Sequence, residues 1–491
     1  MAARSIMVLG CTSGAGKSWL VTALCRWVAR RGLRVAPFKA QNMSNHARVV
    51  ALPQGGVGEI GSAQYFQALA ARVAPDVRMN PVLLKPEAET RSQVVLMGQV
   101  HAELAAQPWR ERSARLWPVA QQALRGLQAQ FDVLVIEGAG SPAEINLAAN
   151  DFVNTHTAIE SDAACVLVAD IDRGGAFAHL YGTHALMDER VRAQLRGFVL
   201  NKFRGDAALL APGPAQLHEL TGVPVLGVVP MQHDHGLPEE DAVPQSASGA
   251  GPRVTVLVPP HASNLDEFEP LRRAGVALEF SRDPATIAAA EWLVLPGSKH
   301  TRADLDWLRI RGLDRLVHAH AAGGRPLLAV CGGLQMLGTR IDDVQGIEGG
   351  TPGSAAGLGL LPLTTCFEPA KHLARTHARF GALHGRWAPL AGLVVGGYEI
   401  HAGRSAATDP SLLPALVAPS PDDAGVLGWQ RGAVLAVMLH GLFENPAVVR
   451  ALFGATLRPL DTVFDGLADV IDAHLGEATL NALLEPRVHS G

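Results

Sequence analysis

The stretch IMVLGCTSGAGKSWL, Ile6 to Leu20, joins an apolar run to a glycine-rich turn and then to a helical pattern. In this order, backbone N–H groups and a helix N-terminus can hold phosphate. Lys17 is placed to reach the outer phosphate oxygens, and Ser18 is placed to bind Mg²⁺. The first glycine, Gly10, stands one residue earlier than the plain GxxxxGK[ST] pattern requires. The stretch therefore predicts a longer ATP-binding loop between a strand and a helix.

Other strand ends of the first half carry polar residues that suit the same site. Glu137 ends the strand of VIEGAGS and predicts a second Mg²⁺ contact, with a solvated loop glutamate as the alternative. Asn201 follows the strand of VLNKF and either reads an adenine edge or caps a turn. Asp170 and Asp172 in ADIDRGG suit Mg²⁺ or substrate orientation. The predicted ATP contacts are Thr12, Gly14, Gly16, Lys17, Ser18 and Asn201, and the predicted metal ligands are Ser18 and Glu137.

A partitioning or switch ATPase is a further class that uses a single ATP loop. Such proteins carry an extra lysine early in the loop, where this chain has Thr12. This difference argues against the switch class.

Composition restricts the class of protein. The 491 residues are 48% hydrophobic and 18% charged, with a net charge of -4, which indicates two or three globular domains. Bulk charge attracts neither nucleic acid nor an anionic membrane. The five cysteines form no CxxC pair, and no apolar run reaches the length of a membrane span, so we expect a reducing cytoplasm. A homo-oligomer is compatible with these numbers.

The order of apolar runs predicts the domains. Residues 1–230 alternate continuous Val/Ile/Leu strands with helical patterns, which is typical of a doubly wound parallel sheet. Residues 231–252 are polar and rich in Pro, Gly and Ser, as in a linker. Strands resume in residues 253–450, which predicts a second α/β domain. Residues 451–491 read as a C-terminal helical extension.

The stretch LLAVCGGLQMLG, Leu327 to Gly338, places a cysteine between a strand and a helix. A strand, Cys331, two glycines and a helix make the pattern of a nucleophile elbow, although the usual glycine two residues earlier is Ala329. A helix N-terminus favours the reactive thiolate form of a cysteine. The alternative, a buried structural cysteine, is less compatible with the two glycines.

Two further strand ends supply partners for Cys331. His440 follows the last apolar strand in VLAVMLHGLFEN, which predicts a Cys–His pair for acyl transfer. The N–H of Gly332 can face a developing oxyanion. Gly297 in LVLPGSKHT is predicted to complete this oxyanion hole, with a plain turn as the alternative.

These motifs carry a resemblance to known enzymes. CGGLQMLG, LPGSKHT and HGLF resemble the triad-type, or class I, glutamine amidotransferase domain. The long ATP loop is similar to that of dethiobiotin synthetase. Lys39–Asn45 (KAQNMSN), DIDRGGAFA and Tyr398–Arg404 (YEIHAGR) extend the resemblance nearly end to end, to the cobalamin-pathway branch and within it to the cobyric acid synthase family.

The resemblance implies a carbon–nitrogen ligase with two small-molecule substrates, glutamine and a corrinoid. Glutamine is hydrolysed at Cys331, while ATP and Mg²⁺ activate a corrinoid carboxylate that ammonia then converts to an amide. The family amidates the b, d, e and g positions of adenosylcobyrinic acid a,c-diamide. The alternatives are the sister cobyrinic acid a,c-diamide synthase and a non-catalytic ATP-binding regulatory protein.

One departure concerns the third member of the triad. Ordinary triad amidotransferases place a glutamate two residues after the histidine, where this chain has Leu442. Glu444 is near His440 in sequence but at a different spacing, Glu399 stands in YEIH with another role open to it, and the sequence assigns the third position to neither. Because ammonia must reach the activated carboxylate, we expect Cys331 and the phosphate loop to face a shared, partly closed space.

Overall fold

The computed structural model describes residues 3–52, 54–88, 91–238, 251–419 and 425–485. Residues 239–250 of the predicted linker and residues 486–491 of the predicted C-terminal extension lie outside these ranges. Within these ranges, no helix combines the length and the apolar character needed to cross a membrane.

Helices and strands alternate through the first half of the chain. Its strands are β1 (Arg4–Gly10), β2 (Val35–Phe38), β3 (Gln41–Met43), β4 (Ala47–Ala51), β5 (Val57–Gly61), β6 (Val82–Ala88), β7 (Arg91–Leu96), β8 (Gln99–Val100), β9 (Val133–Glu137), β10 (Ala164–Asp170), β11 (Leu195–Phe203) and β12 (Val225–Pro230). Its helices are α1 (Lys17–Arg30), α2 (Ser62–Ala70), α3 (Ala102–Ala105), α4 (Trp109–Gln128), α5 (Thr157–Ser161), α6 (Ala176–Leu186), α7 (Glu189–Arg192) and α8 (Gly213–Thr221).

The central sheet of this half has six parallel strands in the order β12-β11-β10-β1-β9-β2. Alternate residues of β1 enter different cores: Ile6 and Val8 pack on one face, and Met7 and Leu9 pack on the other. Both faces are covered, which explains why the strands read as continuous apolar runs. The predicted doubly wound parallel sheet is confirmed.

The pairing of the strands brings the residues predicted to bind the nucleotide close together. Val8 pairs with Glu137 across β1 and β9, and Asp170 pairs with Asn201 across β10 and β11. In a parallel sheet the carboxyl ends lie at one edge, so these side chains and the loop after Gly10 meet there.

The second half contains a second sheet. Its strands are β13 (Arg253–Leu257), β14 (Ala262–Ser263), β15 (Ala277–Ser281), β16 (Trp292–Leu295), β17 (Gly297–Ser298), β18 (Leu327–Val330), β19 (Arg340–Asp343), β20 (Gly353–Ala356), β21 (Leu363–Phe380), β22 (Val394–Ala407), β23 (Pro414–Ala418), β24 (Gly425–Arg431) and β25 (Val434–Val437). Its helices are α9 (Glu269–Arg273), α10 (Pro284–Ala288), α11 (Thr301–Ile310), α12 (Leu313–Ala322), α13 (Gly332–Leu337), α14 (Pro446–Phe453), α15 (Leu460–Leu475) and α16 (Glu477–Ala482).

The second sheet has a parallel part, β15-β13-β16-β18-β25, and it continues through mostly antiparallel strands to β20. Val330 of β18 pairs with Val437 of β25. The residues that follow these two strands, Cys331 and His440, therefore leave the sheet side by side. A second α/β domain is confirmed.

Helix α15 returns to the first half of the chain. Arg26 of α1 is fully buried and forms ion pairs with Asp461 at 2.6 Å and with Asp465 at 2.8 Å. Trp27 donates a hydrogen bond to Asp472 at 2.8 Å. Phe464 shares a core cluster with β1 and α1. The last long helix thus covers one face of the first sheet, while the predicted domain boundaries stay a prediction.

Candidate active sites

The turn after β18 holds Cys331 in a strained conformation. Its φ of 50° and ψ of -106° lie outside the regions that side chains favour, and its N–H donates to Val437 at 2.8 Å. A Cβ on Gly332 would lie 2.6 Å from the nitrogen of Ser298, and a Cβ on Gly333 would lie 2.3 Å from a carbonyl oxygen at the end of β16. Only glycine fits these two positions, so the turn after the cysteine requires both.

His440 is fixed from three sides. Its backbone exchanges hydrogen bonds of 2.9 and 3.2 Å with Tyr398, and the two rings stack with centroids 5.3 Å apart. Its Nδ1 lies 2.8 Å from the carboxylate of Glu267, which also accepts a hydrogen bond of 2.9 Å from the N–H of Gly441. Glu267 therefore holds the ring in the way that a third triad member does. It lies in the short turn Leu265–Phe268, far from His440 in sequence.

The surroundings of His440 favour its charged form. Burial by itself lowers the pKa of His440, but the charges of Glu267 and Cys331 outweigh burial and raise this pKa to about 10. The Nε2 atom is buried and makes no hydrogen bond of normal geometry within the described part of the chain. A protonated Nε2 is thus free to donate to a group at Cys331.

The two predicted oxyanion residues lie beside this pair. A Cβ on Gly297 would lie 3.0 Å from Cε1 of His440, so the backbone of β17 lies close to this ring. Gly332 follows Cys331 directly and touches the nitrogen of Ser298. The fold thus brings Cys331, His440, Gly297 and Gly332 together, and the oxyanion contacts of the two glycines stay a prediction.

The phosphate loop is built from backbone groups. Gly14 and Gly16 have φ values of 72° and 95°, which glycine adopts at little cost. Helix α1 begins at Lys17, and none of the described side chains caps its N-terminus, so its first N–H groups point into the loop. The ammonium of Lys17 donates to the carbonyl oxygens of Thr12 at 3.0 Å and Gly140 at 3.1 Å.

Asn201 supports this loop from the side. Its Nδ2 donates to the carbonyl oxygen of Ala15 at 2.9 Å, and a Cβ on Gly16 would lie 2.1 Å from the same nitrogen. The side chain is buried and holds the loop in place. Its contact with adenine stays a prediction.

Glu137 lies at the centre of a polar cluster. Its carboxylate accepts hydrogen bonds from Ser18 at 2.9 Å, from Lys39 at 2.6 Å and from Gln67 at 2.6 Å. Burial raises the pKa of Glu137, but Lys39, Gln67 and Ser18 outweigh burial and lower it, so the carboxylate is charged. The oxygens of Ser18 and Glu137 are hard donors within reach of one ion, as Mg²⁺ prefers.

A cavity of about 890 Å³ opens in front of the loop. Its lining comes from both halves of the chain: Lys17, Ser18, Lys39, Glu137, Asp170, Asn201, Asp266, Glu269 and Arg272 are among the residues. Asp266 faces this cavity, and the next residue, Glu267, binds His440. The two candidate sites thus meet at one short turn, while an open path from Cys331 to the loop stays a prediction.

Comparison with known proteins covers both halves. Residues 6–242 match the CobQ/CobB/MinD/ParA nucleotide binding domain family, and residues 253–448 match the CobB/CobQ-like glutamine amidotransferase domain family. The cobyric acid synthase of Leptothrix cholodnii is 58% identical over 100% of this chain and 98% of its own length. Those of Methylibium petroleiphilum and Variovorax paradoxus are each 60% identical, over 98% and 99% of this chain and 97% and 100% of theirs.

The chain belongs to the cobyric acid synthase family. The resemblance read from the motifs is confirmed, and so are the predicted nucleotide-binding and glutamine amidotransferase domains. Within this family member the individual site residues stay predictions, supported by the geometry above.

A buried arginine connects the two halves of this cobyric acid synthase family member. Arg48 of β4 forms ion pairs with Asp266 and Glu444, and its guanidinium lies 5.0 Å from the centre of the Tyr398 ring. Burial by itself lowers the pKa of Arg48, but Asp266 and Glu444 hold it well above its ordinary value. Glu444, the acid near His440 in sequence, therefore belongs to the junction.

The sequence motifs did not predict three of the residues that form these sites. Glu267 lies in NLDEFEP, and its only signal is an acid after the first strand of the second domain. Lys39 opens the motif KAQNMSN, which the sequence used only to place the family. Gln67 of α2 has no sequence signal, since only packing brings it to Glu137.

Proposed function

We propose that this protein is a glutamine-dependent, ATP-driven ligase that makes cobyric acid in cobalamin biosynthesis. Its substrate is adenosylcobyrinic acid a,c-diamide, which it amidates at the b, d, e and g carboxylates. The observation that carries the proposal is the end-to-end identity of 58–60% with cobyric acid synthases, together with both reactive sites in one chain. The proposal places the reaction in the cytoplasm, with glutamine and the corrinoid as small-molecule partners.

The glutaminase half uses Cys331, His440 and Glu267. The sulfur of Cys331 attacks the side-chain amide carbon of glutamine, and the charge on the carbonyl oxygen is held by backbone N–H groups at Gly332 and Gly297. The Nε2 proton of His440 passes to the leaving nitrogen, so ammonia departs and a thioester remains. Water then gives a proton to Nε2 of His440 as it attacks the thioester carbon, and the C–S bond breaks, which releases glutamate and restores the Cys331 thiolate and the protonated His440.

The synthetase half uses the phosphate loop. ATP is held by Lys17, by the N–H groups of the loop and by the N-terminus of α1. Ser18 and Glu137 would hold Mg²⁺, which offsets phosphate charge when bound. A corrinoid carboxylate oxygen attacks the γ-phosphorus and ADP leaves, which forms an acyl phosphate. Ammonia then attacks the acyl carbon, phosphate leaves, and the amide remains.

The junction is suited to pass ammonia between the halves. In bulk water at neutral pH, ammonia becomes ammonium, which is not a nucleophile, so the product of the first half must stay enclosed. Asp266 borders the synthetase cavity, and Glu267 binds the catalytic histidine. We propose that ammonia crosses near this turn.

Mass spectrometry of the corrinoid product tests the proposal. The full-length protein receives adenosylcobyrinic acid a,c-diamide, ATP and Mg²⁺ with either glutamine or an ammonium salt. We expect four stepwise exchanges of hydroxyl for amino with both nitrogen sources. Cys331→Ala should give the same four steps with ammonium alone.

Other outcomes separate the alternatives. Two exchanges on unamidated cobyrinic acid, and none on the a,c-diamide, would indicate the sister a,c-diamide synthase. No exchange with either nitrogen source would contradict a ligase of this substrate and favour an ATP-binding regulatory protein.

A further inference from the structure

A histidine–carboxylate cluster lies on one face of the hairpin formed by β21 and β22. His372 pairs with His401 in the strand register, and Glu399 precedes His401 by two residues on β22. Residues paired across a sheet, and residues two apart on a strand, share one face. His372, Glu399 and His401 therefore point the same way, whereas Tyr398 and Ile400 point to the other face, on which the Tyr398 ring stacks on His440.

The distances within this cluster suit a shared ion. Oε2 of Glu399 lies 3.2 Å from Nε2 of His401 and 3.5 Å from Nε2 of His372. One ligand atom from each of the three residues fits within 4.8 Å of the others. Two ligands on one tetrahedral zinc ion, each about 2.0–2.1 Å from it, lie about 3.3 Å apart. The two measured separations match that value.

The hydrogen bonds around the cluster fix which atoms are left for an ion. Nδ1 of His401 lies 3.0 Å from the carbonyl oxygen of Gly403, so this nitrogen carries the hydrogen. Nε2, the other ring nitrogen, then faces Oε2 of Glu399 at 3.2 Å, so an ion between them would have one ligand on each side. Oε1 of Glu399 accepts from Thr376 at 2.6 Å, which leaves Oε2 for the two histidines. A ring N–H on a carbonyl oxygen is the usual support of a metal-bound histidine.

We propose that His372, Glu399 and His401 bind a divalent transition metal ion, zinc in the first place. Two imidazoles and one carboxylate form a common zinc ligand set, and the half-exposed His372 leaves a fourth position to solvent. The ion would fix the segment of β22 from Glu399 to His401. Between two of its ligands stands Ile400, whose carbonyl oxygen lies 3.8 Å from the sulfur of Cys331.

Ile400 also connects the proposed metal site to the junction between the two halves of the chain. The side chain of Ile400 packs against Ala47, Leu83 and Val95 of the first half. The metal would therefore have a structural role, because it would fix the position of the strand that lies beside Cys331. It would take no part in the transfer of the amide nitrogen.

Cobalt binding to the full-length, chelator-treated protein tests the site. Four-coordinate Co²⁺ gives visible absorption bands, and Zn²⁺ should remove them by displacement at one equivalent. His401→Ala should abolish the bands, and Thr376→Val should weaken binding about tenfold through the loss of support for Glu399. The matched control is His377→Ala, because His377 is an exposed histidine of β21 on the other face, and it should bind as the wild type does.

The outcomes decide the matter. If His401→Ala does not fold, His372→Ala serves instead, since its side chain is 45% exposed and its removal disturbs little packing. Bands that persist in both variants would mean that the ion binds elsewhere. The proposal would be overturned if the wild type showed no bands and NMR showed a doubly protonated His401 ring. The cluster would then hold a proton where the proposal has a metal ion.

Discussion

Replacing Glu267 by glutamine tests the assignment of the third triad member. Glutamine keeps an oxygen that can accept from Nδ1 of His440 but removes the negative charge 2.8 Å from this nitrogen. The ring should stay in place and lose its main electrostatic support. The change therefore separates the charge of Glu267 from its geometry.

The size of the effect follows from the pKa of His440. This pKa is raised from 6.5 to about 10, with Glu267 as the largest raising cause and Cys331 as the next. The rise corresponds to about 5 kcal/mol in favour of the protonated ring, and Glu267 is the largest single contributor to it. In Glu267→Gln the pKa of His440 should therefore fall, and kcat of glutamine hydrolysis should fall about 100-fold, because the proton donor is less well supported.

The assay is the glutaminase rate of the full-length protein across pH. The protonated His440 must give its proton to the leaving nitrogen, so kcat/KM falls where the histidine loses this proton. We expect the alkaline limb near pH 10 in the wild type and at a lower pH in Glu267→Gln. The matched control is Glu444→Gln, whose carboxylate binds Arg48 and should leave the limb in place.

Ammonium-driven amidation provides the folding control for this variant, because it needs no glutaminase triad. It should proceed normally in Glu267→Gln. An alkaline limb that stays near pH 10 while the rate falls would refute the charge argument.

Three further predictions concern the elbow, the loop and the core. In Gly332→Ala the added Cβ would meet the nitrogen of Ser298 at 2.6 Å, so glutaminase kcat should fall about 100-fold or more, while a normal rate would show that the turn relaxes. Lys17→Ala should remove amidation with either nitrogen source while glutamine hydrolysis continues, and amidation at the wild-type rate would contradict the predicted loop. Phe464→Ala should cost about 3–5 kcal/mol of unfolding free energy and lower Tm, because its ring is buried against α1 and β1; an unchanged Tm would place α15 outside the core.

Protonation of His440 also gives a pH dependence of stability. Its pKa is higher in the folded protein, about 10, than its ordinary value of 6.5. The stabilisation is therefore complete below about pH 6.5 and is lost as the pH rises through about 10. Calorimetry should show Tm falling over this range, and less steeply in Glu267→Gln. Equal slopes in the two proteins would contradict the link.

Local patterns were enough to predict the nucleophile and the phosphate loop. Cys331 and Lys17 each stand in a strand–turn–helix segment, and the glycines of both turns can be seen directly in the sequence. Glu267 was beyond this reasoning, because it lies 173 residues from His440 and no periodic pattern marks it. The partner of His440 depends on how the turn Leu265–Phe268 packs against the segment that follows β25, which only the folded chain defines.

Two other predictions show the same difference between what local sequence patterns indicate and what long-range packing determines. The sequence placed Asn201 at the right strand end, but it left the choice between adenine and the loop open, since both use the same amide. It marked Lys39 only as part of a family motif, whereas the fold makes it the closest cation to Glu137. Residue type and strand ends thus predict where the candidate sites lie, and long-range packing determines which residues contact one another within them.

The position of α15 has a consequence for how the chain is made and how it can be divided. Residues 460–475 are synthesised after the whole amidotransferase domain, yet they complete one face of the first sheet. As the chain leaves the ribosome, that apolar face of β1 and α1 waits uncovered until the end of translation. A single cut between the two halves would leave α15 on the amidotransferase fragment, although it packs on the nucleotide-binding half. The two activities are thus tied together by the order of synthesis, and a working split of the chain must return residues 460–475 to the nucleotide-binding half.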